Sequence, residues 1–168
     1  MPRGFVQCAP LDADVNSSGL DQNCYYCTVA ALRNMDVRAL VSVTETMQQD
    51  TANRNEVRAL FGAAGLPANG FVRQGPTSYG YAGNNLSNNA ADALALIWGT
   101  LSTGQFCGVE YYRPDGSGQM VVATRKPGNP DQILWADFQT PPTNRVGGLW
   151  PPEGPAGLNY TYSIWLID

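Results

Sequence analysis

Cys24 and Cys27, in the stretch DQNCYYCTVAAL at 21–32, are the residues whose types and spacing best suit chemistry. A Cys-x-x-Cys pair opening a helix admits four readings: a redox couple, half of a metal site, a disulfide, or a nucleophile beside a packed neighbour. With Asn23 as N-cap, Cys24 falls in the first turn, where unpaired N–H groups and the positive dipole end favour a thiolate. A thiolate there can attack a carbonyl. Its own amide and the backbone around Gln22 and Asn23 would hold the oxyanion. The chain has no histidine, so the usual base for such a reaction is missing.

The competing readings have their own requirements. A structural zinc needs two further ligands, and Cys8 and Cys107 stand alone in the sequence, so neither a metal nor a cofactor is expected. A thioredoxin-like couple should follow a buried strand, yet the approach here is the polar run DADVNSSGLDQ. Buried free thiols pack as small hydrophobes, which is the expectation for Cys8, Cys107 and, one turn into the helix, Cys27. Four cysteines would allow three disulfide pairings, none of which a chain of 168 residues requires.

The elements around the pair are legible from periodicity. Residues 1–22 read as loop. A helix is expected over about 24–35, with Cys24, Cys27, Thr28, Ala31 and Met35 on one face. Asp36 can cap a second helix, VRALVSVTETMQQ, with Leu40, Val41, Val43 and Met47 inward. Asn55 can cap a third, EVRALFGAA, ending at Gly65. A long loop rich in Gly and Asn follows and could roof a cleft. Asn89 caps AADALALIWGTLS, whose Leu94, Ile97, Trp98 and Leu101 make a core stripe. After Gly104 the period becomes extended: FCGVEYYR, QMVVATRK, QILWADFQ and YTYSIWLI read as strands, the first three forming an antiparallel meander. Residues 140–158 read as a Pro/Gly-rich return loop. Helices followed by an antiparallel sheet make the expected class α+β. One domain is expected over 1–168, with its helical part at 23–103 and its sheet at 105–168.

DQNCYYCTVAAL resembles the D-G-N-C segment of ovarian-tumour-type deubiquitinases. It is still more similar to the N-C-x-x-C-x-x-A opening of papain-fold toxin domains in bacterial polymorphic toxin systems. Those domains continue with G-x-G-H opening a strand and D-x-Q near the end of the next. Here GSGQMVVA at 116–123 and WADFQ at 135–139 fall in the same order, with Gln119 where the histidine would be. The resemblance implies a papain-like fold and a cysteine hydrolase acting on an amide, as peptidase or glutamine deamidase. Cys24 would be the nucleophile, Asp137 the group that orients the base, and Gln139 a polar helper. The C-G-S-C-W opening of papain itself would favour Cys27 instead. It also implies a toxin or effector, delivered within a larger protein and acting in a target-cell cytoplasm on a protein substrate, with a possible immunity protein as partner. Symmetric pairing of 119–126 with 132–139 would set Gln119 opposite Gln139, with Asp137 on its diagonal and all three side chains on one face.

Glutamine cannot carry a proton near neutral pH, so an impaired hydrolase is expected. A non-catalytic module that grips a protein partner is the alternative, and a Cys24–Cys27 oxidoreductase is the second. The net charge is −4, and the nine arginines and single lysine, Lys126, form no cluster; nucleic acid is not an expected partner. No apolar run reaches membrane-spanning length, so no membrane is expected either, and the first residues lack the apolar core of a signal peptide.

Overall fold

A computed structural model describes residues 3–17, 23–44, 59–60, 73–75 and 89–166. Three helices within them have defined bounds: α1 (Cys24–Leu32), α2 (Val37–Thr44) and α3 (Ala90–Thr100). Six strands, β1 (Arg73–Gly75), β2 (Phe106–Tyr112), β3 (Gly118–Lys126), β4 (Gln132–Asp137), β5 (Val146–Leu149) and β6 (Thr161–Leu166), form one antiparallel sheet in the order β1-β6-β2-β3-β4-β5. The class is α+β.

Strand alternation divides the core in two. One side of the sheet, with Met120, Val122, Ala136, Phe138 and Trp165, packs against α1 and α2. The other, with Val109, Val121, Ala123, Ile133 and Ile164, packs against Ala93, Ile97 and Leu101 at α3. The sheet is therefore a middle layer. Every residue from Tyr25 to Leu32 is buried, so α1 is enclosed all round instead of presenting one inner face. It also stops short of residue 35: Asn34 takes a left-handed φ of 56°, and the Asn34 and Met35 amides turn back to the Ala31 and Ala30 carbonyls.

The caps at Asp36 and Asn89 form as the sequence suggests. The Ala39 amide donates to Asp36 Oδ1 at 2.8 Å, and those of Ala91 and Asp92 donate to Asn89 Oδ1 at 3.0 and 3.1 Å. In α2, Leu40 is fully buried while Val43 is 56% exposed, against expectation. Met47, the Asn55-capped helix apart from residues 59 and 60, and most of the 66–89 loop lie outside the described residues. The α3 stripe is rotated: Ala90, Ala93 and Ile97 are buried, whereas Leu94 and Trp98 are only partly covered. Trp98 lies under the Arg125 guanidinium, 4.5 Å from its ring centre.

Three stretches read as loop carry more order than their composition suggests. Residues 3–17 are not a linker: Phe5 bridges Phe106, and Phe5, Ala9 and Val15 are buried against α1. Arg73–Gly75 pairs with β6 as an outer strand. Val146–Leu149 extends the meander beside β4. A Cβ at Gly147 would stand 2.4 Å from the Trp135 carbonyl oxygen. Glycine there permits a close backbone approach that leaves no side-chain pattern to read.

Candidate functional site: a thiol at the head of α1 and an amide–carboxylate pair on β3 and β4

The β3–β4 pairs run from Lys126↔Gln132 to Val122↔Ala136. Continued, that register sets Gln119 opposite Gln139, the symmetric arrangement about the 127–131 turn. Gln119 Nε2 donates to Asp137 Oδ2 at 2.8 Å and to Gln139 Oε1 at 3.4 Å, the latter near the outer limit for such a bond. The Gln139 backbone N–H donates to Asp137 Oδ1 at 2.9 Å. Asp137 is 9% exposed. Burial raises its carboxyl pKa above the ordinary value, offset in part by the bonds from Gln139 and Gln119 and by the charge of Arg145.

Cys24 opens α1 and is half-buried, whereas Cys27 is fully buried in the core; both thiols are free. The Met120 backbone lies near enough to the Cys24 sulfur to favour its thiolate. Met120 directly follows Gln119, but strand alternation turns the Gln119 and Asp137 side chains to the α3 face, with Tyr111, Val121 and Trp135, whereas Met120 faces α1. Asp137 lies near enough for its charge to act on Cys24. Gln119, Asp137 and Gln139 thus share one end of the β3–β4 hairpin, and Cys24 approaches that end from the α1 side. Gln22 lies outside the described residues.

Two expectations about Cys24 are corrected. First, the thiol is not poised as a thiolate. Burial pushes it up to about 11, the charges of Asp137 and Glu110 act in the same direction, and the Met120 backbone only partly offsets them. Loss of water around the sulfur outweighs the first-turn amides of a nine-residue helix. Second, the Asn23 side chain does not cap α1. Its Nδ2 donates to Asn16 Oδ1 at 3.0 Å, and Asn16 Nδ2 donates to the Gln139 carbonyl at 3.0 Å. Asn23 therefore ties the head of α1, through Asn16, to the tail of β4.

Sequence reasoning missed Asn16 and also Arg145. The Arg145 guanidinium donates to the Leu11 carbonyl at 3.0 Å, to that of Asp137 at 3.3 Å, and to those of Ala13 and Thr140. It lies over the Phe138 ring, 4.6 Å from its centre. A second missed group borders the pair. Tyr111, the β2 partner of Gln119, donates to Glu153 Oε2 at 2.7 Å; Arg113 and Tyr160 hold the same carboxylate at 2.5 and 2.9 Å. All of these are single polar residues in loops or on strands. Their partners are more than a hundred positions away, or some forty, and no spacing announces them.

The chemistry available follows from the bond directions. Gln119 has two amide protons, and both are committed, to Asp137 and Gln139. An imidazole at this position could likewise give one N–H to Asp137 and keep its other nitrogen as a base. Glutamine instead keeps a carbonyl oxygen, which accepts a hydrogen bond from a thiol but not its proton at neutral pH. Among the described residues, no group of three or more Cys, Asp or Glu is arranged to hold a metal ion, and no helix is long and apolar enough to cross a membrane. No protein-family model and no curated protein matches this chain.

Proposed function

We propose that this chain is a papain-like cysteine hydrolase domain directed at an amide, as peptidase or glutamine deamidase, in a form that retains the site but has lost its base. The observation that carries the reading is the approach of Cys24 to the end of β3, where Gln119 is hydrogen-bonded to Asp137 and the Asp137 charge reaches the thiol. In the competent reaction Cys24 attacks the amide carbonyl and a base at position 119 takes its proton. Asp137 orients that base, and the same group then protonates the departing amine or ammonia. With Gln119 the first transfer has no acceptor. A toxin or effector role, acting on a protein substrate and held in check by an immunity protein, follows from the resemblance of the three motifs and rests on it.

The test is Gln119→His, assayed for amine release from casein and ammonia release from glutamine-containing peptides. Activity that appears with this substitution and disappears when Cys24→Ala is added supports the reading; none on either substrate sinks it. A second reading is a non-catalytic module that grips a protein partner, favoured by the protonated, half-buried Cys24 thiol. It predicts tight partner binding that Cys24→Ala leaves intact. The oxidoreductase alternative is disfavoured, because burial raises both Cys24 and Cys27 whereas redox couples depend on a lowered thiol.

A further inference from the structure

Beyond the α1 helix, on the same side of the sheet, lies a cavity of about 760 Å³, within the range of about 300–1,000 Å³ typical of small-molecule sites. Its roof is the N-terminal segment around Cys8 and Leu11, and its floor includes Val122, Leu134 and Phe138. Val122 and Phe138 belong to the α1-side core, whereas Leu134 remains partly exposed. The floor continues toward the edge strand, where small residues face each other as Ala136 and Gly147. Leu149, which pairs with Leu134, is 59% exposed, and Leu11 is 62% exposed. Apolar surface therefore continues from the interior to the rim.

The charges on the walls are unequally placed. Lys126 lines the cavity at the end of β3; it is exposed, and among the described residues no carboxylate lies within ion-pair distance of it. Asp12 lines the roof next to Leu11, whose carbonyl accepts from Arg145, so those two charges share the opposite end. The four carbonyl bonds of Arg145 leave it little capacity for an anion. A ligand with one negative end belongs at Lys126.

We propose that this cavity binds a long-chain carboxylate, its acyl tail lying between the Cys8–Leu11 roof and the Leu134–Phe138 floor and its head at the Lys126 ammonium. The site is independent of the hydrolase reading, since none of its named contacts is Cys24, Gln119 or Asp137.

The test is titration of the full chain with laurate and, in parallel, with dodecanol, below the concentration at which laurate forms micelles. Saturable binding of one laurate per chain is expected, with dodecanol weaker. Lys126→Glu should weaken laurate binding about fivefold to tenfold. Leu134→Trp should abolish it by filling the floor. In the unaltered protein, bound laurate should also slow maleimide labelling of Cys8, a readout that stands if Leu134→Trp fails to fold. Absence of saturable binding, equal affinity for laurate and dodecanol, or labelling of Cys8 unaffected by laurate would overturn the proposal.

Discussion

Gln119 and Asp137 are joined by a 2.8 Å bond across the open end of the β3–β4 hairpin, with the amide as donor and the buried carboxylate as acceptor. That direction is what an imidazole N–H at position 119 would reproduce. The carboxylate is useful only while it keeps such a donor in place. Asp137→Ala, added to Gln119→His, should therefore cost on the order of 10⁴-fold in any hydrolysis gained, with KM little changed. It should also lower stability by about 1–3 kcal/mol, because the Gln139 amide loses its acceptor as well. Steady-state kinetics and urea unfolding read the two effects separately.

The state of the Cys24 thiol is open to direct measurement. An unburied thiol is half-ionised at about pH 8.5 and nears its alkylation plateau by about pH 10, but Cys24, pushed up to about 11 by burial, should react slowly with iodoacetamide at neutral pH. Its rate should still be climbing at pH 10. Gln119→His should lower that inflection, since a neighbouring imidazolium stabilises the thiolate. A plateau near pH 8 in the unaltered protein would contradict the burial described for this sulfur.

The same burial sets the alkaline limit of the fold. Cys8 and Cys24 are raised to about 12 and about 11, and Cys27 and Cys107 are raised further, in each case chiefly by desolvation. Above about pH 8.5 the unfolded chain releases thiol protons that the folded chain retains. Each such thiol then removes about 1.4 kcal/mol of stability per pH unit, until pH passes its folded value. Stability is thus fully present below the ordinary thiol range and falls from about pH 9 to 11. The urea midpoint should drop across that window, and less steeply in Cys107→Ala, where one buried thiol no longer titrates. An unchanged midpoint between pH 8.5 and 10.5 would exclude this behaviour.

What the sequence discloses here is whatever rests on local pattern. The Asp36 and Asn89 caps, the three-strand meander and the opposition of Gln119 and Gln139 follow from caps, alternation and turn length, which are properties of neighbouring residues. β5 escaped because its strand is VGGL, where glycine supplies backbone contact and no alternation. Asn23 misled for a related reason: its side chain suits an N-cap, but a tertiary partner at Asn16 took its amide. The thiolate expected at Cys24 failed on burial, which a helix position alone does not report. Asn16 and Arg145 could be found only after folding, because each acts by joining segments far apart in the chain.

Arg145 bears the most specific structural prediction. Its guanidinium spans the Leu11 and Ala13 carbonyls of the N-terminal segment and those of Asp137 and Thr140 at the end of β4. It also covers the Phe138 ring. Desolvation lowers its pKa, with the charges of Asp137 and Asp14 acting the other way, so its charge is stabilised chiefly by oriented carbonyl dipoles. Arg145→Ala would leave these acceptors to water or unpaired, and should cost roughly 2–4 kcal/mol. Arg145→Lys should recover little, because a compact ammonium with three donors cannot reach four carbonyls set around a planar fork. The loss should appear first where the strap is fastened. Hydrogen exchange should quicken at the Ala13 and Val15 amides and at the Gln139 and Thr140 amides, and Cys24, tied to the same turn through Asn16 and Asn23, should alkylate faster at pH 8. Replacing exposed Arg3 by Ala should do neither. If Arg145→Ala unfolded at the same urea concentration as the unaltered chain, with exchange unchanged at both anchor points, the strap would not be what holds the head of α1 against Asp137.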